Sequence, residues 1–388
     1  MAPNIIFWLS LLILFHSYLG YALIAYAGAG LRKTTLMVDN VSINVVPEVA
    51  LVIPAFNEIN CLPDKIENCL GLDYDKNKLI IYFVTDGSND GSAEFISKYP
   101  QLQLFHATER KGKTAAINHA MRIITQEIVI FSDANTLLNS SAIKEIVKHY
   151  QDETVGGVAG EKKVGNAQKD KAVNVGEGLY WKYESWLKRV DSKFYSVVGA
   201  AGELFSLRRS LYRQMPEDII LDDFFMSLRL CIDGYVIRYE PEAFAMEKAS
   251  VSISEERKRK VRISAGGFQA MGRLTPLLNF FKYPSLSYLY ISHRVLRWTI
   301  CPLLLPILLM SNCFLVSDSI VYQVALTVQM LFYFFALIGG ILASRAIRIK
   351  VLFLPFYFLF MNWSLVSGMF NFIFLKSSVL WEKSERGT

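Results

Sequence analysis

Several short stretches of this chain combine residue types able to act on a phosphorylated or hydroxylic ligand. FSDANT (131–136) ends an apolar run, QEIVI, at Asp133 and offers a second oxygen at Asn135. Alone it reads as a turn closing a buried strand, because Asp and Asn are ordinary turn formers. The same two residues are also a carboxylate and a carbonyl oxygen, hard donors of the kind a divalent cation takes. TDGSNDGS (85–92) has Gly87 and Gly91 for a tight backbone path and Asp86 as an acceptor for a ligand N–H or hydroxyl. Its plain reading is a glycine-rich loop with a helix cap. ERKGKTAAIN (109–118) places Arg110, Lys111 and Lys113 around Gly112 at a helix start. Cations there oppose the helix dipole, so an anion such as phosphate suits the position, as does a solvated charge run. ILDDFFMSLRL (220–230) sets Asp222 beside Asp223. One carboxylate is enough for an N-cap worth about 1 kcal/mol, and the other is left for work as a general base. RKRKVRISAGGFQ (257–269) reads as a lipid-headgroup patch, and Arg259 and Arg262, three apart, share a helix face able to meet a diphosphate.

These stretches need a scaffold. EVALVIPAF reads as a buried strand ending at Pro54, and LIIYFVT, LQLFHA and EIVIFSD read as further strands. Residues 58–70 read as a helix with Ile59, Leu62, Ile66 and Leu70 on one face; SAEFISKYP and TAAINHAMRIIT read as two more. Strand–helix alternation from about residue 48 to 150 predicts an α/β, Rossmann-like, mostly parallel sheet. Ligands of such sheets bind beyond the carboxyl ends of the strands. Asn57 and Glu58, Asp86 and Gly87, and Asp133 and Asn135 all fall there.

The 388 residues are 52% hydrophobic, unevenly distributed. Residues 4–31, 298–316, 319–343 and 351–375 are apolar runs of about the roughly 20 residues that span a bilayer. The expected organisation is a transmembrane helix at 1–31, a cytoplasmic domain at 32–274 and an amphipathic interfacial segment at 275–297. Three membrane or re-entrant helices at 298–375 and a tail at 376–388 complete it. The first run has no basic residue before it and no small-residue cleavage site after it, so it reads as a signal anchor. Arg32, Lys33, Arg294, Arg297 and SRAIRIK (344–350) put the middle domain on the cytoplasmic side, in the plasma (inner) membrane. The net charge of +6 fits a face near anionic lipid, and the absence of a long basic tract with interleaved aromatics argues against nucleic acid. The five cysteines form no CxxC pair, so a zinc site or disulfide framework is not expected. Taken together, these parts fit glycosyl transfer from a nucleotide sugar: cation ligands and an arginine for the leaving diphosphate, and a base for the attacking hydroxyl.

The order of motifs resembles membrane-bound family 2 glycosyltransferases with a GT-A domain, in the cellulose, chitin, hyaluronan and poly-N-acetylglucosamine synthase branch. The resemblance covers about residues 47–300. VIPAFNE resembles the opening strand and nucleotide-binding turn, implying donor contacts from Pro54, Asn57 and Glu58. TDGSNDGS resembles the DDGSxD loop, with Asp86 at the uridine position and Thr85 replacing the first aspartate. GKTAAIN resembles GKxxALN and implies donor binding by Lys113. SDANT resembles the DxD motif, implying Mg2+ or Mn2+ on Asp133 and Asn135. GAAGELFSLRRSLY resembles the segment lining donor and acceptor, with Gly202 and Glu203. LDD resembles TED, implying Asp223 as base and Asp222 as its neighbour. RKVRISAG resembles QRxRW: Arg262 takes the diphosphate arginine, Arg259 replaces glutamine and Ile263 replaces tryptophan. Gln269 joins Arg259 in lining the site. Phe268, Trp298, or Tyr180, Trp181 and Trp186 are the alternative aromatic platforms, and the last three also read as a core helix face. The resemblance implies inverting, metal-dependent transfer from a UDP-sugar to a lipid-linked or growing polysaccharide acceptor at the bilayer; whether an oligomer or partner subunit completes an export path is left open by the sequence. A polyprenyl-phosphate sugar transferase and a non-catalytic nucleotide sensor are the alternatives.

Overall fold

The computed structural model describes residues 2–31, 46–165, 173–248, 252–345, 347 and 349–375. At its centre is an eight-stranded sheet in the order β3-β2-β1-β4-β7-β6-β8-β5. The strands are β1 Val49–Ala55, β2 Leu79–Asp86, β3 Leu102–Ala107, β4 Ile128–Phe131, β5 Thr136–Leu138, β6 Val155–Gly165, β7 Phe205–Arg208 and β8 Val236–Lys248. The first half is parallel as expected: β1 pairs with β2 and β4, and β2 with β3, all in parallel. Beyond it the sheet is mixed. β7 runs antiparallel to β4 and β6, β5 runs antiparallel to β8, and β6 and β8 are parallel.

The sheet is covered on both faces, which is why β1 is apolar throughout: all seven of its positions are buried. Its side chains alternate between two cores. Val49, Leu51 and Ile53 join the cluster containing Leu62, Ile66 and Cys69, whereas Ala50 and Val52 join the one containing Ala116, Ile117 and Ala120.

Two helices are shorter than the sequence pattern implies. The first begins at Leu62, not at residue 58. Asn57 adopts φ 52°, and the Ile59 N–H donates to Asp90 Oδ2 at 3.0 Å, so residues 57–59 belong to a loop clamp. The helix Lys113–Ala120 stops before MRIIT. Arg209 captures the carbonyls of Met121 and Ile124 at 2.6 and 2.8 Å, stabilising a turn there.

Among the described residues, three helices are long and apolar enough to cross a membrane: Ala2–Gly30, Ile320–Ser344 and Lys350–Leu375. Ile300–Leu315 has 16 residues and continues from Pro284–Trp298 across a 58° bend, so the expected interfacial segment is largely helix. In the last span Pro355 and Asn362 do not break the helix. Asn362 donates to the Phe358 carbonyl and accepts from Tyr18 of the first span, each at 2.9 Å or less.

Candidate active site

Four segments meet beyond the carboxyl ends of β1, β2 and β4. The clamp between the first two loops is built from side-chain caps: Ser88 Oγ accepts from the Asn57 N–H at 3.1 Å, and Asn57 Oδ1 accepts from the Asn89 N–H at 3.0 Å. Glu58 lies in this clamp, half-buried. Pro54 is buried inside β1, opposite Val84. The β1–β4 ladder ends at Val52, so a residue with no N–H is tolerated two positions later. Asp86 is buried, and its two oxygens accept the backbone N–H groups of Lys111 and Gly112 at 2.8 and 2.7 Å. It therefore fixes the Gly112 turn (φ 100°) from which Lys113 projects.

Lys113 is the hub. Its Nζ lies 3.1 Å from Asp133 Oδ1 and 3.4 Å from Asp222 Oδ2. Asp222 and Asp223 open the helix Asp222–Ile232. Gly202 comes from the segment before β7: a Cβ there would sit 3.4 Å from both Asp223 Oδ2 and Lys113 Nζ. The absent side chain leaves room for a small group between lysine and carboxylate. Burial, reinforced by the neighbouring Asp222 charge, pushes the Asp223 carboxyl up to about 7. Burial also raises Asp133, against the pull of Lys113. The carboxylates hold the Lys113 ammonium firmly protonated despite burial.

Asp133 and Asn135 are half-exposed on either side of buried Ala134, so both are available from the cleft. Among the described residues no three His, Cys, Asp or Glu side chains form a closed metal cage. The open pair of a carboxylate and an amide oxygen would suit a divalent cation that takes oxygen donors, with Asp133 and Asn135 as the residues that would hold it.

Glu203 meets buried Lys162, which also meets Glu247; Arg259 NH1 lies 3.4 Å from Glu247 Oε2. Burial disfavours the Glu203 charge, but Lys162 outweighs that and keeps the carboxyl below its usual value. Arg259 thus braces β8 through Glu247. Gln269 accepts from the Ile220 N–H at 3.1 Å and donates to the Asp218 carbonyl at 2.7 Å. Arg273 grips the Asp218 carboxylate through NH1 at 2.9 Å and NH2 at 2.5 Å. Gln269 therefore holds the loop that feeds Asp222 and Asp223. Arg262 lies on the same helix, Ile253–Arg273, one turn before Gly266, whose Cβ position faces Ile220 and Leu221.

The aromatic platforms are engaged in packing. Phe268 is buried. Trp298 stacks on Phe224 at 5.4 Å and closes over Gly267. Trp186 packs beside Tyr183, and Trp181 carries the Lys162 ammonium 4.7 Å from its ring. Tyr180 lies edge-on to Trp181 and Tyr357.

Lys65 escaped the sequence reading. It is wholly buried, and its ammonium donates to Ser132 Oγ and to the Thr136 carbonyl, both at 2.8 Å. Those bonds bracket the Asp133–Asn135 turn. Its only sequence signal is a lysine directly before Ile66 on an otherwise apolar helix face.

The fold and site define a class: a GT-A α/β domain with its charged cleft at the strand ends, flanked by apolar helices. A solved mannosyltransferase, PcManGT from Pyrobaculum calidifontis in complex with GDP-Man and Mn2+, shares this fold over 97% of this chain and 100% of its own, with TM-score 0.67 and 21% identity. Residues 50–215 match the family model Glycosyl transferase family 2, so the chain carries a family 2 glycosyltransferase domain. It is 25% identical over 244 residues to the poly-beta-1,6-N-acetyl-D-glucosamine synthase of Staphylococcus aureus (strain MSSA476), covering 60% of this chain and 58% of that protein. The Staphylococcus epidermidis synthase is 24% identical over 235 residues, covering 58% and 56%. The chain thus matches less than two thirds of the length of these relatives.

Proposed function

We propose that the chain is an inverting, metal-dependent glycosyltransferase. It moves a sugar from a UDP-sugar to a hydroxyl of a lipid-linked or growing polysaccharide acceptor, for cell-envelope or extracellular polysaccharide synthesis. The observation that carries this reading is the meeting of Lys113, Asp133, Asp222 and Asp223 at the strand ends, beside the space left by Gly202. Asp223 accepts the acceptor proton as the hydroxyl oxygen bonds to the anomeric carbon. The bond from that carbon to the diphosphate breaks, inverting the centre. Lys113 offers positive charge to the departing diphosphate, and Arg262 is assigned to the same task. Mg2+ or Mn2+ held by Asp133 and Asn135 would supply further charge neutralisation. Pro54, Asn57, Glu58 and Asp86 shape the nucleotide side; Gly202, Glu203, Asp222, Arg259 and Gln269 shape or brace the acceptor side.

The apolar helices support membrane residence, and the basic residues at their ends favour a cytoplasmic domain at the plasma membrane. Purified full chain in lipid nanodiscs, screened across UDP- and GDP-sugars with Mg2+ or Mn2+, tests the reading by nucleotide release and product mass. Release from a UDP-sugar that is abolished by chelation and by Asp223→Asn supports it. No turnover of any donor with membrane acceptors, or full activity in Asp223→Asn, overturns it. A product that is a single sugar on a lipid phosphate assigns the polyprenyl-phosphate alternative instead of a polymer.

A further inference from the structure

The turn between the helices Ile253–Arg273 and Pro284–Trp298 presents its apolar side chains outward. Leu278 is 46% exposed, Phe280 50% and Phe281 98%. Among the described residues no other large apolar side chain exceeds 75%.

The turn is built, not loose. Asn279 Oδ1 accepts the N–H groups of Phe281 and Lys282 at 3.1 Å, and its carbonyl accepts those of Lys282 and Tyr283 at 3.2 and 3.0 Å. Leu274 and Leu277 are buried beneath it, and the Tyr283 hydroxyl donates to the Ile232 carbonyl at 3.2 Å. The body of the domain therefore anchors the turn while its phenylalanines point away.

Its position identifies what covers it. Tyr283 leads directly into Pro284–Trp298, the first half of the bent apolar pair. Tyr288 on that helix donates to the Tyr21 carbonyl at 3.4 Å, and Ser292 meets His16 at 2.9 Å, so the helix runs antiparallel to the first span. The turn then lies toward the end of that span where Ile24 and Tyr26 are exposed. Lys282 beside Phe281 supplies a cation at the level where anionic headgroups lie. Phe and Leu over a flanking lysine form the pattern of an interfacial anchor.

We infer that residues 278–282 insert into the interfacial layer of the bilayer, with Phe280 and Phe281 at the acyl boundary and Lys282 among the phosphates. The partner is phospholipid, and this turn is a contact additional to the spanning helices.

The test places the photoreactive residue p-benzoylphenylalanine at position 281 of the full chain. The protein is reconstituted in nanodiscs of phosphatidylcholine and phosphatidylglycerol, and Val328, exposed in the span Ile320–Ser344, is the lipid-facing control. Irradiation should give a one-to-one phospholipid adduct at position 281, in yield within a few-fold of the control. An adduct between two chains would assign the turn to a second copy and overturn the inference. Absence of a lipid adduct at 281 while position 328 labels also overturns it. Failure at both positions rejects the membrane reading and the insertion together. The readout needs no turnover, so failure of the transferase proposal leaves it intact.

Discussion

Replacing the proposed base with its neutral isostere should damage catalysis and strengthen the fold. Asp223 rises from the ordinary value of 3.8 to about 7, first because it is buried and then because Asp222 is adjacent. A folded-state carboxyl with a raised pKa binds a proton that the unfolded chain has already lost. Stability therefore falls as pH climbs from about 4 to about 7 and is level above that. At 1.36 kcal/mol per pH unit the full penalty is about 4 kcal/mol. Asp223 is half-buried and its carboxylate is reached from the cleft, which reduces the penalty to about 1–3 kcal/mol. Asp223→Asn removes it. At roughly 2–4 °C per kcal/mol for a domain of this size, the melting temperature at pH 8 should rise by about 2–12 °C. The gain should shrink toward zero near pH 4. Turnover should fall about 10²–10⁴-fold, the usual contribution of a positioned base. In the unchanged protein, activity should drop tenfold per pH unit below about 7 as the base becomes protonated. Thermal unfolding in nanodiscs across pH, paired with nucleotide release, reads both quantities. A stability gain equal at pH 4 and pH 8 would refute the burial argument, and unchanged turnover would refute the role of Asp223 as base.

Asp133→Asn should lower turnover about 10²–10³-fold, and Asn135→Ala about tenfold or less, because of the two proposed cation ligands Asp133 alone carries a charge. Comparable losses would show that their roles are wrongly divided. Lys65→Met should leave the melting temperature within a few degrees, since a buried cation is replaced by an apolar chain of similar volume. It should raise the divalent-cation concentration for half-maximal activity about 10–100-fold, because the bonds to Ser132 and Thr136 that hold the turn carrying the proposed cation ligands are lost. An unchanged cation requirement would make Lys65 purely structural. Gly199→Ala should destabilise by about 2–4 kcal/mol, because φ is 99° and a Cβ would lie 2.3 Å from the Phe224 ring. An unchanged unfolding midpoint would contradict that packing.

The parallel half of the sheet was legible because β1, β2 and β4 are buried on both faces and leave unbroken apolar runs. The antiparallel half was not. β7 is the four-residue FSLR, too short to carry a period, and its direction depends on β4 and β6 lying on either side. Helix starts were misplaced where side chains far along the chain take over capping, as Asp90 does at Ile59. Asp133, Asp222, Asp223 and Lys113 could be picked out because each sits in a local turn or cap pattern, and Gly202 only through the resemblance of GAAGELFSLRRSLY. Their mutual distances could not. Lys65 and Lys162 were invisible for a related reason. A lysine on an amphipathic element reads as outward-facing, and only the fold supplies Ser132, Thr136, Glu203 and Glu247 as partners. Gln269 and Arg273 likewise gain meaning only once Asp218 and Ile220 are beside them.

The charge balance around Lys113 gives the proposed metal requirement a physical basis independent of motif. Glu203 and Glu247 are offset by Lys162 and Arg259. That leaves the cluster in which Asp133, Asp222 and Asp223 surround the Lys113 ammonium. With all three ionised, this four-residue cluster is net negative before an anionic diphosphate enters. On the proposed reading, nucleotide binding and divalent-cation binding are therefore linked. Two unit charges about 6 Å apart interact by about 3 kcal/mol at an effective dielectric of 20, roughly 100-fold in affinity. UDP should bind the full chain about 100-fold more tightly with Mn2+ than with a chelator, and Asp133→Asn should remove most of that difference. Calorimetric titration measures it directly. Equal affinity in the two conditions would mean that the protein's own cations satisfy the diphosphate, and the metal role given to Asp133 would fall.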